Sequence, residues 1–440
     1  MPRPKLVVLD DDPTGSQTVH SCLLLLRWDP ATLQTAWADA SPLFFILGNT
    51  RACTPDKAAQ ITREICCHLR QVVGERLLDQ AMIISRSDST LRGHYPLEVE
   101  VLNEELGPFD GHLLIPAFIE GGRITRNSTH YLLVNGQPVP VDQTEFARDT
   151  VFGYPSAYLP AYVEYKTGGR IRQEQVLRLT LEHIRSGRTE DLLLGLQNNA
   201  CAVVDAETEE DLQRVAQALY RLQQQGKRLL LRSAAGIVRA LAQLPPQPVA
   251  PAAMSTYVQG QRPGVVVVGS HVQLSTQQVE HLLRQPGVQG IELAITGLLQ
   301  GQTPAEVVAQ VLPQITQALH QGLTPVIYTP RQELTFPDQE TRLHFGAQVA
   351  QTTALLVQQL PPDIGFLVSK GGITSNTILS DGLQLTAVRL LGQIAPGINV
   401  IRTPADHPRF PQLPVVIVPG NVGGPEVLTT IVQRLDPRQA

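Results

Sequence analysis

Residues 6–15 read LVVLDDDPTG: a four-residue apolar run, three consecutive carboxylates at Asp10, Asp11 and Asp12, then Pro13, Thr14 and Gly15. A short unbroken apolar run bounded by turn residues marks a strand buried on both faces, as in a parallel sheet. Three adjacent like charges repel, and a cation or hydrogen-bond donors must offset that cost. In open parallel sheets, ligands sit beyond the carboxyl ends of the strands. The carboxylates therefore mark a strand end that has a use for them.

The same pattern recurs along the chain. KLVVLDDD, LFFILGNT, AMIISRSDS, HLLIPAF, ACAVVDAET and KRLLLRSA in the first half, and GVVVVGS, GIELAI, LTPVIYT, GFLVSKGG, INVIRT and PVVIVPGN in the second, are apolar runs ending in small or polar residues, separated by amphipathic stretches. This alternation predicts an α/β protein built of βα units. At 440 residues the chain exceeds what one core organises, so two domains are expected, each with a mostly parallel sheet flanked by helices. Residues 244–264, rich in proline and without apolar period, place the boundary: domains at 1–245 and 265–440, with 246–264 as linker. HYLLVNGQPVPV, residues 130–141, sets Asn-Gly between two apolar runs and predicts an antiparallel hairpin in the first domain.

Composition narrows the function. A net charge of −5 without a basic stripe argues against nucleic acid as a partner. The five cysteines are scattered and lack C-x-x-C spacing, which disfavours a disulfide framework or a zinc site and is expected of reduced thiols. No apolar run approaches the roughly 20 residues of a spanning helix, and no signal-like segment precedes the first strand; a cytoplasmic setting without membrane contact is expected.

Four strand ends carry candidate chemistry. The first is Asp10, Asp11, Asp12, Thr14 and Gly15, whose Asp-x-Asp-x-Thr-Gly spacing also fits the first motif of haloacid-dehalogenase phosphohydrolases, with Asp10 as nucleophile and Asp12 as acid/base. The second, SRSDSTLRGHYP from Ser85, gathers Arg86, Asp88, Ser89, Thr90 and Arg92, a set of donors and a carboxylate suited to a polyhydroxylated acid. The third holds Glu120, Gly121, Gly122, Arg123 and Thr125, with Arg51 ending a further strand in the same half. The fourth, GFLVSKGGITSN from Gly365, runs into Ser369, Lys370, Gly371, Gly372, Ile373, Thr374 and Ser375, where paired glycines and free amides suit a phosphate. Gly269 with Ser270, and Gly420 with Asn421, Gly423 and Gly424, repeat that logic in the second half and resemble a nucleotide pocket.

With DDPTG (11–15), NTRA (49–52), SDSTLRG (87–93), IPAFIEGGRIT (115–125), VVGSHVQLSTQQ (267–278), KGGITSN (370–376) and PGNVGG (419–424) in this order, the chain resembles the four-carbon acid sugar kinases over nearly its whole length. The resemblance implies an N-terminal acid-sugar domain, a C-terminal ATP domain, and phosphorylation of the terminal hydroxyl of threonate, erythronate or 3-oxo-tetronate. It implies that Asp11, Arg51, Ser87, Asp88, Ser89 and Arg92 hold the sugar acid, and that Ser270, the turn Gly371, Gly372, Ile373 and Thr374, and Gly420 hold ATP, with Lys370 or an arginine expected to offset developing charge. Asp12, or else Asp11, is expected to orient the attacking hydroxyl and accept its proton. Mg²⁺ is expected on the phosphates, the amides of Gly371 and Gly372 around them, and a homodimer is compatible. A phosphohydrolase and a sugar-acid or nucleotide sensor without turnover are the alternatives.

Overall fold

The structure, a computed structural model, describes residues 3–74, 81–270, 272–331, 334, 336, 338–420 and 422–438. It divides into two compact units, Met1–Pro245 and Pro246–Ala440. Both are of the α/β class read from the sequence.

The first unit contains β1 (Leu6–Asp10), β2 (Leu23–Leu25), β3 (Leu43–Leu47), β4 (Met82–Arg86), β5 (Gly111–Ile115), β6 (Arg123–Arg126), β7 (Thr129–Val134), β8 (Gln137–Pro140), β9 (Leu177–Leu179), β10 (Ala200–Val204) and β11 (Leu229–Ser233). The order β2-β3-β1-β4-β11-β5-β10-β9 is parallel throughout. Helices α1 (Pro30–Ala38), α2 (Pro55–Val73) and α3 (Leu97–Leu106) belong to this unit. With helices supplying apolar faces, β1, β3, β4, β5 and β11 are buried along their full length, which is why their sequences read as continuous apolar runs. The register lines up Leu47, Asp10, Arg86, Ser233 and Ile115 in one row at the carboxyl edge. That row places the first two motifs side by side. Strands β6, β7 and β8 form a separate antiparallel sheet. The β7–β8 turn is Asn135-Gly136 with φ of 52° and 77°, the two left-handed residues a tight hairpin requires.

The second unit contains β12 (Val265–Val268), β13 (Val288–Glu292), β14 (Thr324–Tyr328), β15 (Leu367–Lys370), β16 (Ala387–Ala395), β17 (Ile398–Arg402) and β18 (Pro414–Val418). The order is β13-β14-β12-β15-β18-β17-β16, parallel through β18 and antiparallel thereafter. Tyr328, Val268, Lys370 and Val418 share one row at its carboxyl edge. Residues 246–264, expected as a linker, instead pack into this unit. Met254 and Val258 are buried in its core beside Phe366, Ile394 and Leu428, because the proline-rich stretch carries apolar side chains without a regular period. Among the described residues no helix is long and apolar enough to cross a membrane.

Candidate functional site

At the carboxyl edge of the first unit, opposite charges alternate. Arg86, beside Asp10 in register, donates from Nη1 to Asp10 Oδ1 at 3.1 Å and lies 3.7 Å from Asp11 Oδ1. After β3 the chain turns through Asn49, in the left-handed region, into a 3₁₀ turn at Thr50–Ala52. The amides of Gly48 and Arg51 donate to the carbonyls of Asp10 and Asp11, which fixes the Arg51 side chain over the carboxylates. Its Nη2 reaches Asp11 Oδ1 at 2.5 Å, Nε reaches Asp11 Oδ2 at 3.2 Å, and Nη1 reaches Asp12 Oδ2 at 3.4 Å. The repulsion read in the sequence is thus offset by two guanidiniums.

The three carboxylates differ in environment. Burial raises the Asp10 pKa to about 7 against the pull of Arg86, and its Oδ2 is buried without a hydrogen-bond partner. Asp11 is buried, and its oxygens are taken by Arg51 and by Ser87 Oγ at 3.1 Å. Asp12 keeps 22% of its side chain exposed, against 2% for Asp11. Burial would raise the Asp12 pKa, but Arg51, the Thr14 hydroxyl and Arg86 hold it below the ordinary value, and the Thr14 amide donates to Oδ1 at 2.8 Å.

The 87–95 loop completes this edge. Arg92 Nε donates to Asp88 Oδ2 at 2.7 Å, and its guanidinium lies over the Phe146 ring. Burial opposes ionisation of Asp88, yet Arg51 and Arg92 hold its carboxyl far below the usual range. Ser89 is buried, and its carbonyl is bonded by His130 Nε2 at 2.7 Å. Tyr154 and Tyr162 donate to the carbonyls of Thr90 and Leu91 at 2.7 and 2.9 Å. Gly93 adopts φ 122°, and a Cβ there would lie 2.7 Å from Ser87 Oγ and 2.9 Å from Asp11 Oδ2. Behind the loop, Arg232 pairs with buried Glu98, which accepts from Thr50 Oγ1 at 2.5 Å. Of the third motif, Glu120 is drawn into a pair with Arg239, and Thr125 is buried on His130. The supporting residues Tyr154, Tyr162, His130, Glu98 and Arg232 carry no motif; only the fold reveals them.

In the second unit, the glycine-bearing strand ends meet around Ser270. Ser275 Oγ donates to Ser270 Oγ at 2.9 Å and approaches the Gly420 carbonyl at 3.2 Å. Arg331 Nη1 donates to the Ser270 carbonyl at 2.6 Å, and the Gln278 amide ties down the carbonyls of Val422 and Gly424. Asn421 lies outside the described residues. Gly371 has φ 111°, and a Cβ on it would sit 3.1 Å from that of Ser270. Its amide is not free, as expected above, but donates to the Val418 carbonyl at 2.9 Å, continuing the β15–β18 pairing. The amides left at the turn are those of Gly372, Ile373 and Thr374, in the first helical turn of Gly372–Thr377. Ile373 points its side chain outward, 74% exposed.

Lys370, ending β15, is completely buried, and its Nζ donates to the Pro419 carbonyl at 2.5 Å. No carboxylate among the described residues lies within ion-pair distance of it, and burial lowers its pKa to about 7. A buried amine without a counter-ion is costly to charge, which is the direction of this shift. Among the described residues no group of three or more His, Cys, Asp or Glu is placed to hold a metal ion.

Residues 6–241 match the family model described as a sugar-binding N-terminal domain, and residues 265–428 the one described as a nucleotide-binding C-terminal domain. The chain belongs to the four-carbon acid sugar kinase family. Its similarity to a D-erythronate kinase of Heliobacterium modesticaldum (strain ATCC 51547 / Ice1) is 27% identity over 225 residues, 49% of this chain and 48% of that protein. The matched segment thus spans about half the length of that curated relative. Two crystal structures share the fold of this family member. A Haemophilus influenzae protein aligns at TM-score 0.65 and 16% identity, covering 98% of this chain and 100% of the other. A Salmonella typhimurium LT2 protein described as a candidate tRNA synthase aligns at TM-score 0.71 and 16% identity over 100% of both chains.

Proposed function

We propose that the protein is an ATP-dependent kinase that transfers the γ-phosphoryl group to the terminal hydroxyl of a four-carbon acid sugar: threonate, erythronate or 3-oxo-tetronate. The observation that carries the reading is Lys370, a fully buried lysine without a carboxylate partner in the nucleotide-binding domain of a chain whose other domain is sugar-binding. Its neighbours fit a nucleotide's phosphates: Gly371 leaves no side chain in the way, and Gly372, Ile373 and Thr374 open a helix whose first amides have no carbonyl within it. Ser270 and Gly420 line the same place. Mg²⁺ belongs to the proposal as the ion that accompanies the nucleotide and offsets phosphate charge when bound.

In the first unit, Arg51, Ser87, Asp88, Ser89 and Arg92 form the sugar-acid side. Asp11 is spent on Arg51 and Ser87 and serves to position them. Asp12, ionised and partly exposed, is the carboxylate that orients the attacking hydroxyl. A carboxylate held this low is a poor proton acceptor, which suits phosphoryl transfer, where positioning and charge stabilisation dominate. Asp10, the nucleophile of the phosphohydrolase alternative, is buried on Arg86 and half-neutral near pH 7, which speaks for the kinase. A cytoplasmic setting belongs to the same proposal.

The test is coupled ADP release with D- and L-threonate, D- and L-erythronate and the 3-oxo-tetronates. At least one acid is expected to stimulate release; none doing so overturns the reading.

A further inference from the structure

The acid end of the substrate needs a cation, and most arginines at this edge are already engaged. Arg51 spends Nε, Nη1 and Nη2 on Asp11 and Asp12, Arg86 is held by Asp10, and Arg232 by Glu98. Arg92 is divided between Asp88 and Asp149. Arg123 differs. It opens β6, where its amide and carbonyl pair with Phe118, and Nη1 bends back onto the Gly121 carbonyl. Among the described residues no carboxylate lies within ion-pair distance of Arg123, and its Nε is buried and donates to nothing. Asp88 and Arg92 lie near enough to bias its charge, so it stands beside the 87–95 loop. Burial disfavours the charged form of Arg123, a cost that an anion drawn to the guanidinium would offset.

We propose that Arg123 binds the carboxylate of the acid sugar, so that recognition of an acid rather than a neutral polyol rests on this side chain and not on Arg51 or Arg92. The inference rests on the sugar-acid reading above and names the residue that reads the acid. A guanidinium offers a planar fork matched to a carboxylate, and the unused Nε is one of the donors such a fork employs.

The test compares wild type and Arg123→Gln on the four-carbon acid that best stimulates ADP release and on its primary amide, which keeps the hydroxyls but not the charge. Loss of a charge-assisted contact is expected to raise KM for the acid by roughly 10- to 100-fold, with kcat within about threefold and the amide's kcat/KM unchanged. An equal loss on acid and amide, or a fall in kcat at constant KM, overturns the proposal while leaving the kinase reading intact. Should Arg123→Gln fail to fold, Arg123→Lys keeps the charge without the fork; a rise in KM for the acid is expected, and an unchanged KM overturns the proposal. Should wild type turn over no four-carbon acid, the kinase reading falls, and calorimetric titration with D-erythronate decides Arg123 separately. Weaker binding to Arg123→Gln upholds its role; equal binding, or none to either protein, overturns it.

Discussion

Arg51 closes on Asp11 with two nitrogens, Nη2 2.5 Å from Oδ1 and Nε 3.2 Å from Oδ2. Asp11 is buried, so removing the cation strands a charge in the interior. Arg51→Met is expected to cost about 3–5 kcal/mol in urea unfolding, the range for breaking a buried pair from one side. Arg51→Lys, which restores charge without the fork, should recover part of that loss. A neutral Arg51→Met would show the pair to be dispensable.

Asp12 is more open than Asp11, and the proposed function gives it the attacking hydroxyl. Asp12→Asn keeps the shape and the Thr14 contact but loses the charge. The kinase reading expects kcat to fall roughly 10²-fold or more through lost positioning of the hydroxyl, together with a lower unfolding midpoint, because the ionised Asp12 paired with Arg51 stabilises the fold. Full turnover in the variant would remove Asp12 from the reaction.

Gly93 holds φ at 122°, with Ser87 Oγ and Asp11 Oδ2 where a Cβ would go. Gly93→Ala is expected to destabilise by about 1–3 kcal/mol through backbone strain and to raise KM for the acid sugar by displacing Ser87. Calorimetric melting and steady-state kinetics on one preparation read both effects; an unchanged melting temperature contradicts the strain.

Lys370 has a folded pKa of about 7 against 10.5 for the free side chain. Between those values the unfolded chain binds the extra proton, so stability rises with pH across this window, and burial of the charged amine costs most below pH 7. Lys370→Met should therefore gain most in melting temperature at pH 6 and least near pH 10, and should lose the stabilisation by ATP. Nucleotide phosphate would raise the amine's pKa, so ATP binding at pH 8 should take up protons, seen as a buffer-dependent enthalpy in calorimetry. Proton release would contradict this.

Asp10 shifts the other way, to about 7 from 3.8. The folded state binds the extra proton between those values, so this contribution is complete below pH 4 and is lost as pH rises through 7. Asp10→Asn cannot ionise in either state. Its melting temperature relative to wild type should climb from pH 5 to pH 8; a falling difference would mean that Arg86 outweighs burial.

The apolar runs were legible because a strand covered by helices on both faces tolerates little else, and each run quoted above is a strand. What escaped was shorter or half-covered. β2 and β9 are three residues long, and β16 alternates buried Val388 and Leu390 with exposed Arg389 before Gly392 interrupts it, as an antiparallel strand can. Asn135-Gly136 was legible because its turn is dictated locally. The carboxylates and glycines at strand ends were legible for the same reason, since topology brings strand ends together. The residues that hold them were not. Tyr154 and Tyr162 reach the loop from more than 60 positions downstream, and Arg331 reaches Ser270 from 61, distances at which one sequence carries no pairing signal. Gly371 shows the limit within a motif: its residue type suggested a free amide, and strand pairing consumed it.

The alternation at the head of the chain has a kinetic consequence. Asp10, Asp11 and Asp12 set against Arg51 and Arg86 leave a single negative charge, and a proton on Asp10 cancels it. A strand end that reads as strongly acidic in sequence therefore projects almost no field below pH 7. An anionic metabolite approaching it is not turned away, and its association rate should depend only weakly on ionic strength.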